Sequence, residues 1–261
     1  MRIAVAATAP FGADVLERLA ARHEVAALLT RPDSAAGRGR RPTPPPAKLV
    51  AERLGITVLQ PEKPTPELEL PAETVVVAAY GLLIPESLLE RALWLNVHPS
   101  LLPRWRGAAP VERALLAGDA ETGVTIHRTV KELDAGPVAA MRSFPVPEEW
   151  DAGDVYGRAA EVAAELLDEA LPAPSFAPQE GEPTYAAKIV AADRKLDLAK
   201  PLESLNRIRA LSPHIGARVE LQGRRVTIWR ARLEDGNLVP LEVQPDGGRR
   251  MPYEALLRGL R

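Results

Sequence analysis

The chain has 261 residues, 46% of them hydrophobic and 26% charged, with a formal net charge of −2 and no cysteine. That is enough chain for one large domain or for a medium and a small one, and the missing cysteine excludes disulfides, thiolate metal sites and a cysteine nucleophile. Pro10 and Gly12 break the apolar N-terminal stretch, and no segment reaches the roughly 20 unbroken apolar residues of a membrane span, so the sequence predicts a cytoplasmic protein with no membrane segment. Charge is unevenly placed. Residues 201–261 hold 11 Arg and no Lys against 7 acidic residues, and Arg31, Arg38, Arg40, Arg41 and Lys48 are opposed between them by Asp33 alone. Two basic regions on an acidic chain suit a polyanionic partner, although a solvated arginine-rich loop would look the same.

In chain order, "RIAVAAT" reads as a strand ending at a Pro/Gly turn, residues 11–22 as a helix and "HEVAALLT" as a second strand. Beyond the basic loop come the helix "PAKLVAERLG", closed by Gly55, the strands "ITVLQ" and "TVVVAA", the helix "PESLLERA" and the strand "LWLNV". The helix "APVERALLAG", the strands "GVTIHRTV" and "PVAAMRSFPV" and a long helix over 152–171 complete this portion. Short continuous apolar runs alternating with helices predict an open, parallel-rich α/β sheet of Rossmann type, with helices on both faces. "PAPSFAPQEGEP" has the composition of a linker. The helix "PLESLNRIRAL", a hairpin around "QGRR", the strand "NLVPLEVQP" and a last helix "PYEALLRGL" then form a small β-rich tail. No internal repeat is found. "AATAPFGADVL" is not G-x-G-x-x-G, so the topology gives no warrant for a dinucleotide.

Asn96 and His98 stand at the carboxyl end of a strand, where ligands collect in such sheets, and their i, i+2 spacing puts both side chains on one face. An amide donor beside an imidazole suits a carbonyl that becomes an oxyanion, and an imidazole can also move a proton. A strand cap and an ordinary core histidine would have the same spacing. Asp134, in "KELDAGPV", reads either as a carboxylate in reach of His98 or as a turn residue. His23, His127 and His214 show no ligand spacing, so no metal is expected. "HPSLLPRWRGAAP" is rigid, with apolar area suited to seating a flat heterocycle.

These stretches resemble methionyl-tRNA formyltransferases: "RPDSAAGRGRRPTPPPAK", "AAYGLLIPESLL", "LNVHPSLLPRWRGAAPVERALLAGDAETGVTIHR", "LDAGPV" and "TYAAKI". The resemblance spans most of the chain. It implies a formyl-transfer domain over residues 1–171, a linker over 172–200 and a shortened, OB-like tRNA-binding domain over 201–261. It further implies transfer of a formyl group from 10-formyltetrahydrofolate to the methionine amino group of initiator methionyl-tRNA by a monomer, with no metal. On this reading Asn96, His98 and Asp134 match the catalytic trio. Ser100, Leu101, Leu102 and Pro103 match the folate-contacting stretch, and Arg38, Arg40, Arg41 and Lys48 belong to the insertion that reaches the tRNA acceptor end. Arg207, Arg209, Arg224, Arg225, Arg230 and Arg232 are further candidates for backbone phosphates.

The chain departs from the family pattern in three places. It has "ATAP" in the first loop, Pro99 after His98, and a missing stretch of strands before "DGNLVPLEVQP", so the barrel is expected to be small or open. Two other readings share these residues, namely a formyltransferase for an amino-sugar nucleotide or hydrolysis of the folate donor. A catalytically decayed tRNA-binding protein is the third, which the intact trio argues against.

Overall fold

The computed structural model describes residues 1–36, 41–221 and 223–258. They divide into two compact units: Met1–Arg106, Gly123–Ser143 and Gly157–Thr184 form the first, and Gly107–Thr122, Phe144–Tyr156 and Tyr185–Arg261 the second.

In the first unit β1 (Arg2–Ala7), α1 (Pro10–Ala20), β2 (Glu24–Leu29), a ribbon of β3 (Ser34–Ala36) and β4 (Arg41–Thr43), α2 (Pro46–Arg53), β5 (Thr57–Leu59), β6 (Thr74–Ala78), α3 (Glu86–Leu89) and β7 (Leu93–His98) follow in order. The basic segment, read from sequence as a loop, is thus flanked by an antiparallel ribbon that pairs Ser34 with Thr43. After β8 (Arg106–Gly107) and α4 (Pro110–Ala117) the chain runs through β9 (Glu121–Arg128), β10 (Val138–Pro145) and α5 (Ala152–Ala170). The seven-stranded sheet has the order β10-β9-β7-β6-β1-β2-β5.

β1 lies between β2 and β6 and is covered on both faces, which is why Ile3 to Ala7 is one apolar run with no exposed residue. Ala4, Ala6, Leu29, Val75, Val77, Tyr80, Leu88 and Trp94 pack into one cluster on this sheet, each large side chain worth about 1.5–3 kcal/mol of burial. α1 starts at Pro10, which supplies helical φ where no N–H is needed. Gly12 in its first turn lets the helix approach β6, since a Cβ there would lie 2.2 Å from the Ala78 carbonyl oxygen.

The pairs β1–β2, β1–β6, β2–β5 and β6–β7 are parallel, as the alternation of strands and helices predicts. β9 instead lies antiparallel to β7, with Asn96 opposite His127 and His98 opposite Thr125. The sequence does not announce this reversal, because a buried apolar strand looks alike in either direction.

The second unit contains α4 together with β11 (Tyr185–Ala186), α6 (Pro201–Leu211), β12 (Ala217–Leu221), β13 (Arg224–Glu234), β14 (Asn237–Pro245), β15 (Met251–Pro252) and α7 (Tyr253–Arg258). β12 to β15 form an antiparallel meander in sequence order. Asp235 (φ 48°) and Gly236 (φ 77°) turn β13 directly into β14, a tight left-handed turn for which Asp-Gly is suited. Among the described residues β12 pairs with β13 and β15 with β14, so the small sheet is open. Ile208, Leu211, Val226, Ile228 and Val243 form its core with α6, and the Arg250 guanidinium lies 3.6 Å from the Trp229 ring centroid.

Candidate active site

β7 presents Asn96 and His98 on one face at its carboxyl end, as their spacing requires. His98 is 4% exposed, and its Nε2 lies 2.8 Å from the Trp105 carbonyl oxygen. A carbonyl only accepts, so Nε2 carries a proton and Nδ1 is the nitrogen left for other chemistry. Asp134 sits in the β9–β10 connection with left-handed backbone (φ 49°), a conformation Asp tolerates better than most residues. Its Oδ2 is 3.7 Å from His98 Nδ1, and its Oδ1 accepts from Asn96 Nδ2 at 3.2 Å. The structure therefore brings Asn96, His98 and Asp134 together.

It adds a fourth group to them. Asn96 Nδ2 is also 3.0 Å from Nε2 of His127, which faces it across the β7–β9 pair. His127 Nδ1 lies 3.0 Å from the Arg128 carbonyl oxygen and so donates to it, leaving Nε2 as the acceptor. Burial drives the pKa of His127 down to about 4, with His98 and Arg106 acting in the same direction and Asp134 opposing. The neutral ring that results takes one Asn96 proton while Asp134 takes the other, so both N–H groups of the amide are engaged.

The Asp134 loop is held from residues that the sequence reads as linker. Gln179 Nε2 donates to the Asp134 and Gly136 carbonyls at 2.7 and 2.9 Å, and its Oε1 accepts from Arg106 Nε and NH2 at 3.0 and 2.6 Å. Ala177 and Val138 exchange backbone hydrogen bonds beside it. Gly136 is dictated by close approach, because a Cβ there would lie 1.7 Å from the Arg128 carbonyl oxygen. The sequence alone assigns no role to His127, Gln179 or Arg106. The signal that finds His127 is its register opposite Asn96, which exists only once the strand direction is known.

The stretch expected to contact folate follows at once. Ser100 and Leu102 are buried, and Leu101 and Pro103 are half-buried. Ser100 Oγ donates to the Arg104 carbonyl at 2.7 Å, while Thr125 Oγ1 donates to the Ser100 carbonyl and accepts from Leu102 N–H. Ser100 and Leu102 thus brace the loop, and Leu101 and Pro103 carry its accessible surface. Thr184, first residue of "TYAAKI", accepts the Trp105 N–H on Oγ1 at 2.9 Å and donates its own N–H to Pro103.

Of the residues expected at tRNA, Arg38 and Arg40 lie outside the described residues. Arg41 is on β4. Lys48 Nζ contacts both oxygens of Asp33 at 2.8 and 2.9 Å, and Gln60 donates to the same carboxylate. These bonds hold the Asp33 carboxyl below its ordinary range. Lys48 is thereby committed to the base of the basic segment. In the tail, Arg207 donates to the Lys195 carbonyl, and half-buried Arg209 to those of Pro147 and Trp150. Both serve as internal donors, whereas Arg224, Arg225, Arg230 and Arg232 lie along β13, with Arg232 ion-paired to Glu234. No helix among the described residues is long and apolar enough to cross a membrane.

An amide, an imidazole and a carboxylate thus meet at the carboxyl end of β7, inside an open α/β sheet, and residues 1–171 match the family described as Formyl transferase. A methionyl-tRNA formyltransferase of Paracoccus denitrificans is 41% identical over 292 residues, covering 100% of this chain and 98% of that protein. A methionyl-tRNA formyltransferase structure from Clostridium thermocellum has a TM-score of 0.68 at 17% identity, covering 94% of this chain and 98% of its own. HypX from Aquifex aeolicus, solved in complex with tetrahydrofolic acid, also has a TM-score of 0.68 at 17% identity, covering 98% of this chain and 46% of its own. The two structural likenesses bear on the fold. By its sequence, the chain belongs to the methionyl-tRNA formyltransferase family.

Proposed function

We propose that this chain transfers a formyl group from 10-formyltetrahydrofolate to the α-amino group of methionine on initiator methionyl-tRNA, acting in the cytoplasm as a monomer. The observation that carries the reading is the convergence of Asn96, His98 and Asp134, with Asp134 reaching the other two at 3.2 and 3.7 Å, in a chain 41% identical along its whole length to such an enzyme. The donor supplies an activated formyl carbon, which the neutral amine attacks. Negative charge then grows on the formyl oxygen, and the amine nitrogen gives up a proton. Asn96 supplies an N–H to that oxygen, and the donor now directed at Asp134 is the one freed for it, because its 3.2 Å bond is the longer of the two. Losing one such donor typically costs a factor of about 10²–10³ in rate. Asp134 and Nδ1 of His98 take the amine proton between them and return a proton to the departing folate nitrogen.

Leu101 and Pro103 seat the folate on the braced loop, with the backbone of Ser100 and Leu102 behind them. Arg38, Arg40 and Arg41 contact acceptor-end phosphates, and Lys48 sets the base of that segment through Asp33. Residues 1–171 act as the formyl-transfer domain and 172–200 as the connection. The meander of residues 201–261 offers Arg224, Arg225, Arg230 and Arg232 to the tRNA backbone.

The test is formyl transfer from 10-formyltetrahydrofolate with charged initiator tRNA, an amino-sugar nucleotide or no acceptor. Product on the charged tRNA alone is expected. Product on the sugar alone, or formate without an acceptor, overturns the assignment of the partner. Asn96→Ala and His98→Ala are expected to lose transfer while remaining folded, and near-normal turnover in either removes its assigned role.

A further inference from the structure

We propose that His127 is a positioning residue for this reaction, which fixes the facing of the Asn96 amide by accepting one of its N–H groups on a neutral ring. The inference rests on the reading of Asn96 as the donor to the formyl oxygen.

An amide side chain fits its cavity almost equally well with oxygen and nitrogen exchanged, so a catalytic Asn needs partners that choose its orientation. Two partners do so here. His127 Nε2 lies at 3.0 Å from Asn96 Nδ2 and Asp134 Oδ1 at 3.2 Å. Asp134 cannot hold the amide throughout the reaction, because that N–H turns to the formyl oxygen and the carboxylate takes part in proton transfer. His127 is then the partner that keeps the nitrogen pointing inward.

Its surroundings suit the task. His127 is 2% exposed, and the Arg128 carbonyl that receives its Nδ1 proton is packed against Gly136, where no side chain fits. The tautomer is therefore set by backbone, and Nε2 keeps its lone pair. A protonated ring would set an N–H against the Asn96 N–H and turn the amide over. The charged and titratable groups facing the ring are Asp134, 3.7 Å from Nε2, His98, with ring centroids 6.3 Å apart, and Arg106. Burial, with His98 and Arg106, keeps the ring neutral against the pull of Asp134. His98 and His127 thus carry opposite tautomers, Nε2–H in the first and Nδ1–H in the second.

The test uses the full chain with His127→Leu, which fills space but accepts nothing, and His127→Gln, whose carbonyl oxygen can still accept. Positioning predicts that kcat falls about 10- to 100-fold in His127→Leu, with KM for folate donor and acceptor within about threefold of wild type. His127→Gln recovers to within about fivefold. A wild-type kcat in a folded His127→Leu protein overturns the proposal, as does a rise in KM at constant kcat, which would make His127 a substrate contact. Nitrogen-15 NMR of histidine-labelled wild type gives a second reading that no variant's folding affects. His127 is expected to be protonated on Nδ1 alone at neutral pH, and a proton on its Nε2 overturns the proposal. The kinetic comparison is made with whichever acceptor the wild type uses, and the NMR reading needs none, so an error over the acceptor is distinguishable from an error over His127.

Discussion

Acidification should weaken the fold through His127 by an amount that the site itself sets. Burial lowers its pKa from the ordinary 6.5 to about 4, so over that interval the unfolded chain binds a proton that the native ring refuses. The sign follows from linkage: the stability is fully present above pH 6.5 and is lost as pH falls toward 4 and below. At about 1.4 kcal/mol per pH unit, the loss across the interval is on the order of 3 kcal/mol, a large part of a domain's typical stability of roughly 5–15 kcal/mol. Many carboxylates also titrate at the acid end, so the informative quantity is a difference. Urea unfolding of wild type and His127→Gln is measured across this range, and the wild-type free energy is expected to fall faster than the variant's by about that slope, since Gln cannot titrate. Parallel curves, with a constant offset from neutral pH downward, would refute the reasoning and place the proton elsewhere.

Three other predictions concern different parts of the molecule. The Tyr80 hydroxyl is buried without a hydrogen-bond partner among the described residues, and burial pushes its pKa to about 12; Tyr80→Phe is expected to raise the unfolding free energy by about 1 kcal/mol, and a loss of stability would mean that the hydroxyl is satisfied in solution. Gln179→Ala removes both bonds to the Asp134 loop and should lower kcat about tenfold through misplacement of the carboxylate; an unchanged kcat would show the loop held without it. Replacing Arg38, Arg40 and Arg41 by Gln should raise KM for tRNA and flatten its logarithmic salt dependence by about 0.9 for each phosphate that is no longer neutralised. Lys48→Gln should leave that slope unaltered, because Lys48 is already paired with Asp33.

Residues whose roles depend on local chain geometry are the legible ones. Asn96 and His98 share a strand face because of period-two geometry, and a strand's carboxyl end is where this kind of sheet binds its ligand. The hairpin around "QGRR" likewise follows from the alternation on either side of it, and β12 and β13 pair there with Leu221 opposite Arg224. Asp134 rests on resemblance, since by itself its Asp-Ala-Gly setting reads as a turn, and the structure shows that it is a turn that also aims the carboxylate at His98. What depends on partners far along the chain is not legible. His127 becomes a neighbour of Asn96 through the antiparallel register of β9, and Gln179 sits among prolines and glycines whose composition says nothing of what they touch. Charge counting also says nothing of what each arginine holds: Arg209 enters the count beside Arg224 and Arg225, yet it is half-buried and donates to the Pro147 and Trp150 carbonyls.

The loop "SLLPRWRGAAP" turns backbone geometry into chemistry. Trp105 stands at φ 62°, a region that costs a bulky L-residue on the order of 1–3 kcal/mol and persists only where the surroundings over-determine it. Here they do. Thr184 Oγ1 takes the Trp105 N–H, Arg106 N–H bonds the Thr184 carbonyl, and the Trp105 carbonyl takes the His98 Nε2 proton. The last of these bonds is what the strained residue contributes. By fixing a proton on Nε2 it leaves His98 only Nδ1, on the side of Asp134, to exchange one. On the other side of Asn96, the Arg128 carbonyl fixes the opposite tautomer on His127. Two backbone carbonyls, each held by its own loop, therefore set two chemically identical rings in opposite tautomers, which is the division that the proposed roles of proton transfer and amide holding require.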